Sequence, residues 1–413
     1  MTLPLNFGRR SGESLVGLDI QPGFVAAVQA HVNGSIVPER AAALALPADS
    51  VRDGEVMDED AVSEVLRELF DGSGLSKQVR VGVANQRTVL RTLELPPVTD
   101  HKELVAAVNF QAQDQVPMPL NNAVMDFHPL GIVDTPAGPR QRVVLVAAQR
   151  DMIERLLGAV RRAGLNAQGV DLSAFALIRS LYRPSPEQTG RVLYLNVDGL
   201  TNLAIAEGTV CRFTRVVGSG LEGMASELAE RRSIALTEAR ALLAAVDLTA
   251  PAQVTPDHAT AHDDEAEDSP VLGAEPAPMP EQDEQSLDAD AEDGESAMSY
   301  EELTAVDAGP VTTAPQSDAD LIAVLENGIR DISGEVRNSL DFHRSQDGGG
   351  EVSHVVMSGC AQDIPGFAEA LQASLGVEVR CETVALPEQG LADGLSAHRL
   401  AVATGLAAAE APQ

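Results

Sequence analysis

The sequence predicts an α/β protein built from two similar halves, each interrupted by an inserted segment. Three observations lead to this fold class. A pattern of three strands followed by helices and further strands occurs twice, first near the N-terminus and again from residue 191. Between residues 88 and 164 a different order, strand, helix, strand, strand, helix, interrupts the first half. An acidic stretch without cations interrupts the second half.

The first half opens with three strands, because short runs of β-branched and aliphatic residues are separated by turn residues. These strands are predicted at residues 14–20, 24–30 and 35–37. The turn between the last two is Asn33-Gly34, a dipeptide that favours a tight hairpin. An amphipathic helix capped by Asp58 is predicted at residues 59–70, and a strand at residues 79–84 completes the pattern.

The inserted segment begins with a strand at residues 88–95. Asp100 and Glu103 then form a capping box that opens a helix, and the Val116-Pro117-Met118-Pro119 run ends it. Two strands follow at residues 124–130 and 142–148, and the segment closes with a helix that is predicted at residues 150–163. We therefore expect a separate inserted subdomain over residues 88–164.

The second half repeats the opening of the first. Its three strands are predicted at residues 191–197, 201–206 and 209–215. Its remaining elements are predicted as helices at 221–232, 237–246 and 319–343, a strand at 354–358, a helix at 366–375, a strand at 377–380 and a helix at 396–409. Two similar halves predict a cleft between them in which a ligand could bind.

The net charge of −33 is concentrated in one part of the chain. From Ala241 to Ile329 there is no Lys or Arg, whereas Asp and Glu together number 22. Such a composition buries too little apolar surface to offset the entropy of ordering, so we predict a disordered acidic insertion at residues 248–317. The acidic balance and the absence of tryptophan argue against binding to nucleic acid.

Several other functions find no support in the residue pattern. The three cysteines are far apart and odd in number, which predicts reduced thiols and no metal site. No apolar run approaches the roughly 20 residues of a membrane span, so we expect a cytoplasmic protein without direct membrane insertion. Neither a Ser/His/Asp order nor a Cys/His pairing is present at suitable spacing, and we assign no catalytic residues.

The order of the elements and several short motifs together resemble the PilM family, the cytoplasmic actin-like proteins of type IV pilus assembly machines. The motifs are LELPPV, QVPMPL at the end of a helix, MDFHPL, VVLVAAQR and RRAGLNAQGVDLSAFAL. The resemblance implies an actin-like (ribonuclease H-like) fold with an inserted subdomain of the kind found in FtsA and PilM. The implied boundaries are a first half at 12–87 with 165–190 returning to it, a subdomain at 88–164, a second half at 191–247 and 318–408, and the insertion at 248–317.

In the resembled family the cleft holds ATP and Mg²⁺ on loops rich in Gly and Ser, whose backbone N–H groups reach the phosphates. The implied nucleotide-binding residues are Asp19, Gly23, Asn196, Asp198, Gly199, Thr201, Gly218 and Gly359. The first family loop reads Asp-Ile-Gly-Ser-Ser-Ser-Val-Lys, but here Pro22 and Phe24 replace two serines, and Ala26 replaces the lysine. Since proline has no N–H and the cation is lost, we expect weak or absent binding of ATP and Mg²⁺. Ordinary turns would explain Asp19 and Asp198-Gly199 equally well.

The family's partner is PilN, an inner-membrane protein whose cytoplasmic N-terminal peptide docks on the inserted subdomain. An extended apolar peptide requires a groove lined by aliphatic side chains, which we expect between the two helices of the subdomain. The candidate partner-binding residues are Val105, Val108, Val116, Pro117, Val146, Ile153 and Leu157. The alternative is that these residues only form the core of the subdomain.

The leading interpretation is a noncatalytic scaffold, held at the inner face of the cell membrane through a PilN-like protein and other pilus assembly components. The machine is a type IV pilus or a related system similar to type II secretion. The alternative is an ATP-binding, slowly hydrolysing protein whose nucleotide state regulates assembly, with Asp19 and Asp198 positioning Mg²⁺ and nucleotide. A sugar kinase would need intact phosphate loops and a base on the cleft wall, and the sequence offers neither.

Overall fold

The structure, a computed structural model, describes residues 15–33, 35–184, 190–249, 316–346, 349–387 and 396–408. Most of the predicted acidic insertion lies outside these residues. Within the described part of the chain, no helix combines the length and the apolarity that crossing a bilayer requires. The same residues contain no cluster of three or more His, Cys, Asp or Glu side chains suited to hold a metal ion.

The first half is built on a five-stranded sheet with the strand order β10-β6-β1-β2-β3. Its strands are β1 (Leu15–Gln21), β2 (Phe24–Asn33), β3 (Ser35–Ala45), β6 (Gln78–Val83) and β10 (Asn166–Leu172). A short hairpin of β4 (Val51–Arg52) and β5 (Glu55–Val56) and the helix α1 (Glu59–Ser73) lie between β3 and β6. Asp58 caps α1 as predicted, because its carboxylate accepts hydrogen bonds from the N–H groups of Asp60 and Ala61.

Two features of this sheet differ from the sequence prediction. Strand β3 continues to Ala45 and pairs with β2 along its whole length, although its alanine-rich second part has little strand propensity. Strand β10 is absent from the prediction, because its sequence NAQGVDL shows no alternation of apolar and polar residues. In both cases pairing with a neighbouring strand overrides the local preference.

The inserted subdomain is an antiparallel sheet in the order β7-β9-β8. Its elements are β7 (Val89–Leu95), α2 (His101–Gln115), β8 (Ala123–Thr135), β9 (Gly138–Gln149) and α3 (Arg150–Arg162). Helix α2 covers one face of the sheet, where it packs on Val143, Leu145 and Ala147 of β9. Helix α3 packs elsewhere, in the core of the first half beside α1.

The second half is built on a sheet in the order β13-β12-β11-β14-β15. Its strands are β11 (Arg191–Val197), β12 (Thr201–Glu207), β13 (Val210–Val217), β14 (Val352–Ser358) and β15 (Val379–Cys381). Its helices are α5 (Leu221–Arg232), α6 (Leu236–Ala244), α7 (Gln316–Ser345) and α8 (Phe367–Leu375). The strand order matches that of the first half, which confirms the two-half architecture.

Helices α4 (Ser173–Leu181) and α9 (Ala401–Ala407) join the halves. They pack on each other, and their buried residues share one core cluster with β2 of the first half and β11 of the second. A Cβ atom on Gly405 would lie 1.9 Å from the carbonyl oxygen of Ala176, and a Cβ atom on Gly17 would lie 1.9 Å from that of Ala403. The close approach of α9 to α4 and to β1 therefore requires glycine at both positions.

We predict that Gly405→Ala lowers the unfolding free energy by about 1–3 kcal/mol, because the added methyl group overpacks the contact between α4 and α9. Gly334→Ala in α7 is the matched control, since no atom lies within 4 Å of the position of its Cβ. The control should be neutral or stabilising by up to about 1 kcal/mol, because alanine favours the helix. Thermal and urea unfolding measure both variants. Equal melting temperatures for Gly405→Ala and the parent would contradict the assigned contact.

Candidate functional site

The predicted nucleotide residues meet where the two halves face each other. Asp19 lies near the end of β1 and Asp198 follows β11, and each is 1% exposed. Burial and the nearby Asp198 carboxylate raise the pKa of Asp19 to about 7, while a hydrogen bond from the Gln21 amide opposes the rise. That amide lies 3.1 Å from the Asp19 carboxylate. The two carboxylates therefore face a polar environment that the protein itself supplies.

Both carboxylate oxygens of Asp198 already have donors within the protein. The backbone N–H of Cys360 donates to one oxygen at 2.7 Å, and the Asn196 side-chain amide donates to the other at 2.8 Å. The backbone N–H of Leu221, at the start of α5, donates to the Asp198 carbonyl at 2.8 Å. These donors, which lie beside the predicted loops, are consequently not free for a bound anion.

The tip of the β1–β2 hairpin presses against the second half. A Cβ atom on Gly199 would lie 2.3 Å from the carbonyl oxygen of Pro22. Gly23, with a φ of 90°, lies against the ion pair between Glu222 of α5 and Arg240 of α6, and a Cβ atom there would be 2.9 Å from the Glu222 carboxylate. The space between the two predicted phosphate loops is therefore filled by the hairpin itself.

The remaining predicted residues adopt structural roles. The Thr201 hydroxyl donates to the carbonyl of Ser219, and Gly218 faces the Asp53 and Gln86 side chains. Gly359 has a φ of 97°, and a Cβ atom there would lie 2.4 Å from the carbonyl oxygen of Val197, so the turn after β14 needs glycine.

The residues present do not fit Mg²⁺ with a nucleotide triphosphate. Pro22 offers no N–H, the backbone donors of Leu221 and Cys360 are used by Asp198, and the hairpin tip fills the loop interval. What is left is a cavity of about 370 Å³ beside the hairpin, bordered by the tip, by α5 and α6, and by the turn after β14.

A second cavity, of about 330 Å³, lies along strand β10, and we call it the β10 groove. All seven consecutive residues of β10, Asn166 to Leu172, line it. Side chains alternate across a strand, so an unbroken run of lining residues indicates that the groove follows the backbone edge of β10. Since β10 is the edge strand of its sheet, that edge has no neighbouring strand. The opposite wall is apolar and includes Val124, Val146, Ile153 and Leu157.

The structure separates the seven predicted partner residues into two groups. Val146, Ile153 and Leu157 line the β10 groove. Val108 and Val116 are instead buried between α2 and the other face of the subdomain sheet, and Val105 and Pro117 do not line the groove either. The expected groove between α2 and α3 is not formed, because alternate residues of β9 point to opposite faces and the two helices lie on different sides. Sequence reasoning missed the β10 edge, for which the only signal was a short segment between two helices.

We predict that Asp19→Asn stabilises the protein increasingly as the pH rises from about 4 to about 7. The pKa of Asp19 rises from its ordinary value of 3.8 to about 7 on folding, so in this window the folded protein keeps a proton that the unfolded chain releases. Folding stability of the parent therefore falls with rising pH, by at most about 1.4 kcal/mol per pH unit from this group. Above pH 7 the difference should be constant.

Urea denaturation of the parent and of Asp19→Asn across this range measures the effect. Because all other titrating groups are shared, the difference between the two unfolding free energies isolates Asp19. A difference that does not change with pH would show that Asp19 is not a buried carboxyl with a raised pKa.

Comparisons with known proteins agree with this architecture. A solved structure described as the PilM-PilN type IV pilus biogenesis complex is 18% identical, with a TM-score of 0.64, and the match covers 96% of this chain and 98% of that one. This likeness confirms the actin-like fold. The ethanolamine utilization protein EutJ from Carboxydothermus hydrogenoformans is 14% identical over 98% of this chain and 92% of its own, with a TM-score of 0.47. The family model described as type IV pilus assembly protein PilM matches residues 17–238, which is more than half of the chain, and the protein therefore belongs to the PilM family.

Proposed function

We propose that this protein is a noncatalytic scaffold of a type IV pilus assembly machine, and that the β10 groove binds the N-terminal peptide of a PilN-like membrane protein. The observation that carries the proposal is the free edge of β10 facing an apolar wall. The similar solved structure, a complex of PilM with PilN, supports the choice of partner. A PilN-like partner would hold the protein at the inner face of the membrane, together with other assembly components.

The groove suits an extended peptide because it combines two kinds of recognition. The backbone edge of β10 offers main-chain hydrogen bonds that would add the peptide to the sheet as a further strand. Seven strand residues span about 23 Å at roughly 3.3 Å each, which matches a peptide of about six or seven residues. On the other side, Val146, Ile153 and Leu157 form an apolar wall for aliphatic side chains of the peptide.

The polar groups of the groove are arranged so that an apolar peptide meets little unpaired charge. Asp171 of β10 is ion-paired with Arg179 of α4, and both are buried. Arg179 also donates a hydrogen bond of 3.1 Å to the carbonyl of Gly405. Arg161, at the C-terminal end of α3, supplies the cationic side chain of the lining.

Gly169 offers a sharper test than any residue of the apolar wall. Ile153 and Leu157 are buried, so a charge placed there would unfold the protein before it could report on binding. At Gly169 no atom lies within 4 Å of the position of a Cβ, and its φ is not in the left-handed region. A larger side chain there would extend into open space beside the β10 edge.

We predict that Gly169→Leu weakens binding of the PilN-like N-terminal peptide at least tenfold, that is by about 1.4 kcal/mol or more, because the leucine occupies the peptide's path. Gly72→Leu on α1 is the control, since it also has open space around its Cβ and is exposed. Fluorescence anisotropy with a labelled peptide gives the dissociation constants, and melting curves verify folding. Folded Gly169→Leu that binds like the parent would exclude the β10 groove as the dock.

We predict that Mg-ATP binds no more tightly than about 100 μM, or roughly −5.5 kcal/mol. The reason is that the hairpin tip fills the loop interval and Asp198 uses the neighbouring donors. Isothermal titration calorimetry with Mg-ATP measures this, and adding the peptide at saturation tests whether the partner changes it. A low-micromolar constant would favour the alternative, an ATP-binding protein whose nucleotide state regulates assembly.

A further inference from the structure

We propose that the cavity beside the β1–β2 hairpin binds a small organic carboxylate with a compact apolar body. The proposal concerns a different site from the β10 groove and does not depend on it. The walls of this cavity are largely apolar, with contributions from Phe24, Leu243 and Ile364. Its volume of about 370 Å³ is near the lower end of ligand pockets, which run from roughly 300 to 1,000 Å³.

Arg399 is the feature that points to an anion. Its guanidinium lies over the Phe24 ring, 5.1 Å from the centroid, and borders the cavity. Its Nε atom is buried without a hydrogen-bond partner, and among the described residues no carboxylate forms an ion pair with it. A buried guanidinium donor without an acceptor is costly, so an acceptor supplied by a ligand would stabilise this arrangement.

The other charged groups around the cavity are already paired. Arg240 lies 2.8 Å from the Glu222 carboxylate, and Asp363 accepts from the Ser396 hydroxyl at 2.7 Å and contacts His398 at 2.8 Å. Neither carboxylate is therefore free to neutralise Arg399. The cavity consequently carries one uncompensated positive charge in a chain whose net charge is −33.

The geometry favours a carboxylate over a phosphate. A guanidinium presents a planar fork of donors that matches a carboxylate with two parallel hydrogen bonds. A phosphate is usually held by several backbone N–H groups, and here the N–H groups of Leu221 and Cys360 are bonded to Asp198. One cation and an apolar wall thus fit one carboxylate attached to an aromatic or branched aliphatic body.

The test compares acids with their neutral counterparts. Phenylacetate and 3-methylbutanoate are titrated by calorimetry, beside phenylacetamide and inorganic phosphate. Phenylacetate should bind at least tenfold more tightly than phenylacetamide, since a hydrogen bond to a charged group is worth about that factor or more. Phosphate should not bind. Equal binding of phenylacetate and its amide, or no binding of either acid at about 10 mM, would overturn the proposal.

Variants locate the binding. Arg399→Met keeps an unbranched side chain over Phe24 but removes the charge, and should weaken phenylacetate binding about tenfold or more. Arg330→Met, an exposed change on α7, should leave it unchanged. Ala244→Phe fills the cavity from the exposed side of α6 without changing Arg399, so it tests the site even if Arg399→Met fails to fold. Unchanged affinity in folded Arg399→Met or in Ala244→Phe would overturn the assignment.

Discussion

The close packing of α9 between α4 and β1 is the contact on which the arrangement of the two halves depends. It is possible only because Gly17 and Gly405 have no side chains, since a Cβ atom at either position would overlap a backbone carbonyl. Helix α9 comes from the C-terminal end of the described chain and β1 from its beginning, so this contact closes the fold over its full length. Core residues of both halves then collect around it, with Leu406 and Ile178 at less than 2% exposure.

The same contact carries over to the β10 groove through buried polar groups. Arg179 of α4 bridges the Gly405 carbonyl of α9 and the Asp171 carboxylate of β10. A buried ion pair of this kind adds little net stability, because desolvation offsets most of the attraction between the charges. Its effect here is positional, since it fixes the edge strand relative to the helices that join the halves. The outer edge of β10 remains without a strand partner, and a bound peptide would complete it.

At the opposite end of β1 the packing brings the hairpin tip against the second half. The tip contacts the Asp198–Leu200 turn on one side and the Glu222 and Arg240 pair on the other. Asp19 and Asp198 come together there without a cation, and the raised pKa of Asp19 together with the amides of Gln21 and Asn196 makes this tolerable. The halves are therefore held in contact by residues of the chain itself, which is what a scaffold with a constant shape requires.

Much of the fold could be predicted from the sequence because caps, turns and side-chain periodicity act over a few residues. Asp58 and Asp100 cap their helices as expected, and the substitutions at Pro22 and Phe24 already indicated an altered phosphate loop. The family motifs likewise lie in continuous segments. Only the tertiary structure decided that NAQGVDL forms an edge strand, since its pairing with β6 is made about 88 residues away along the chain. It also decided which aliphatic residues face a partner: Val108 and Val146 look equally suitable in the sequence, but α2 covers one face of β9 and leaves the other to the groove.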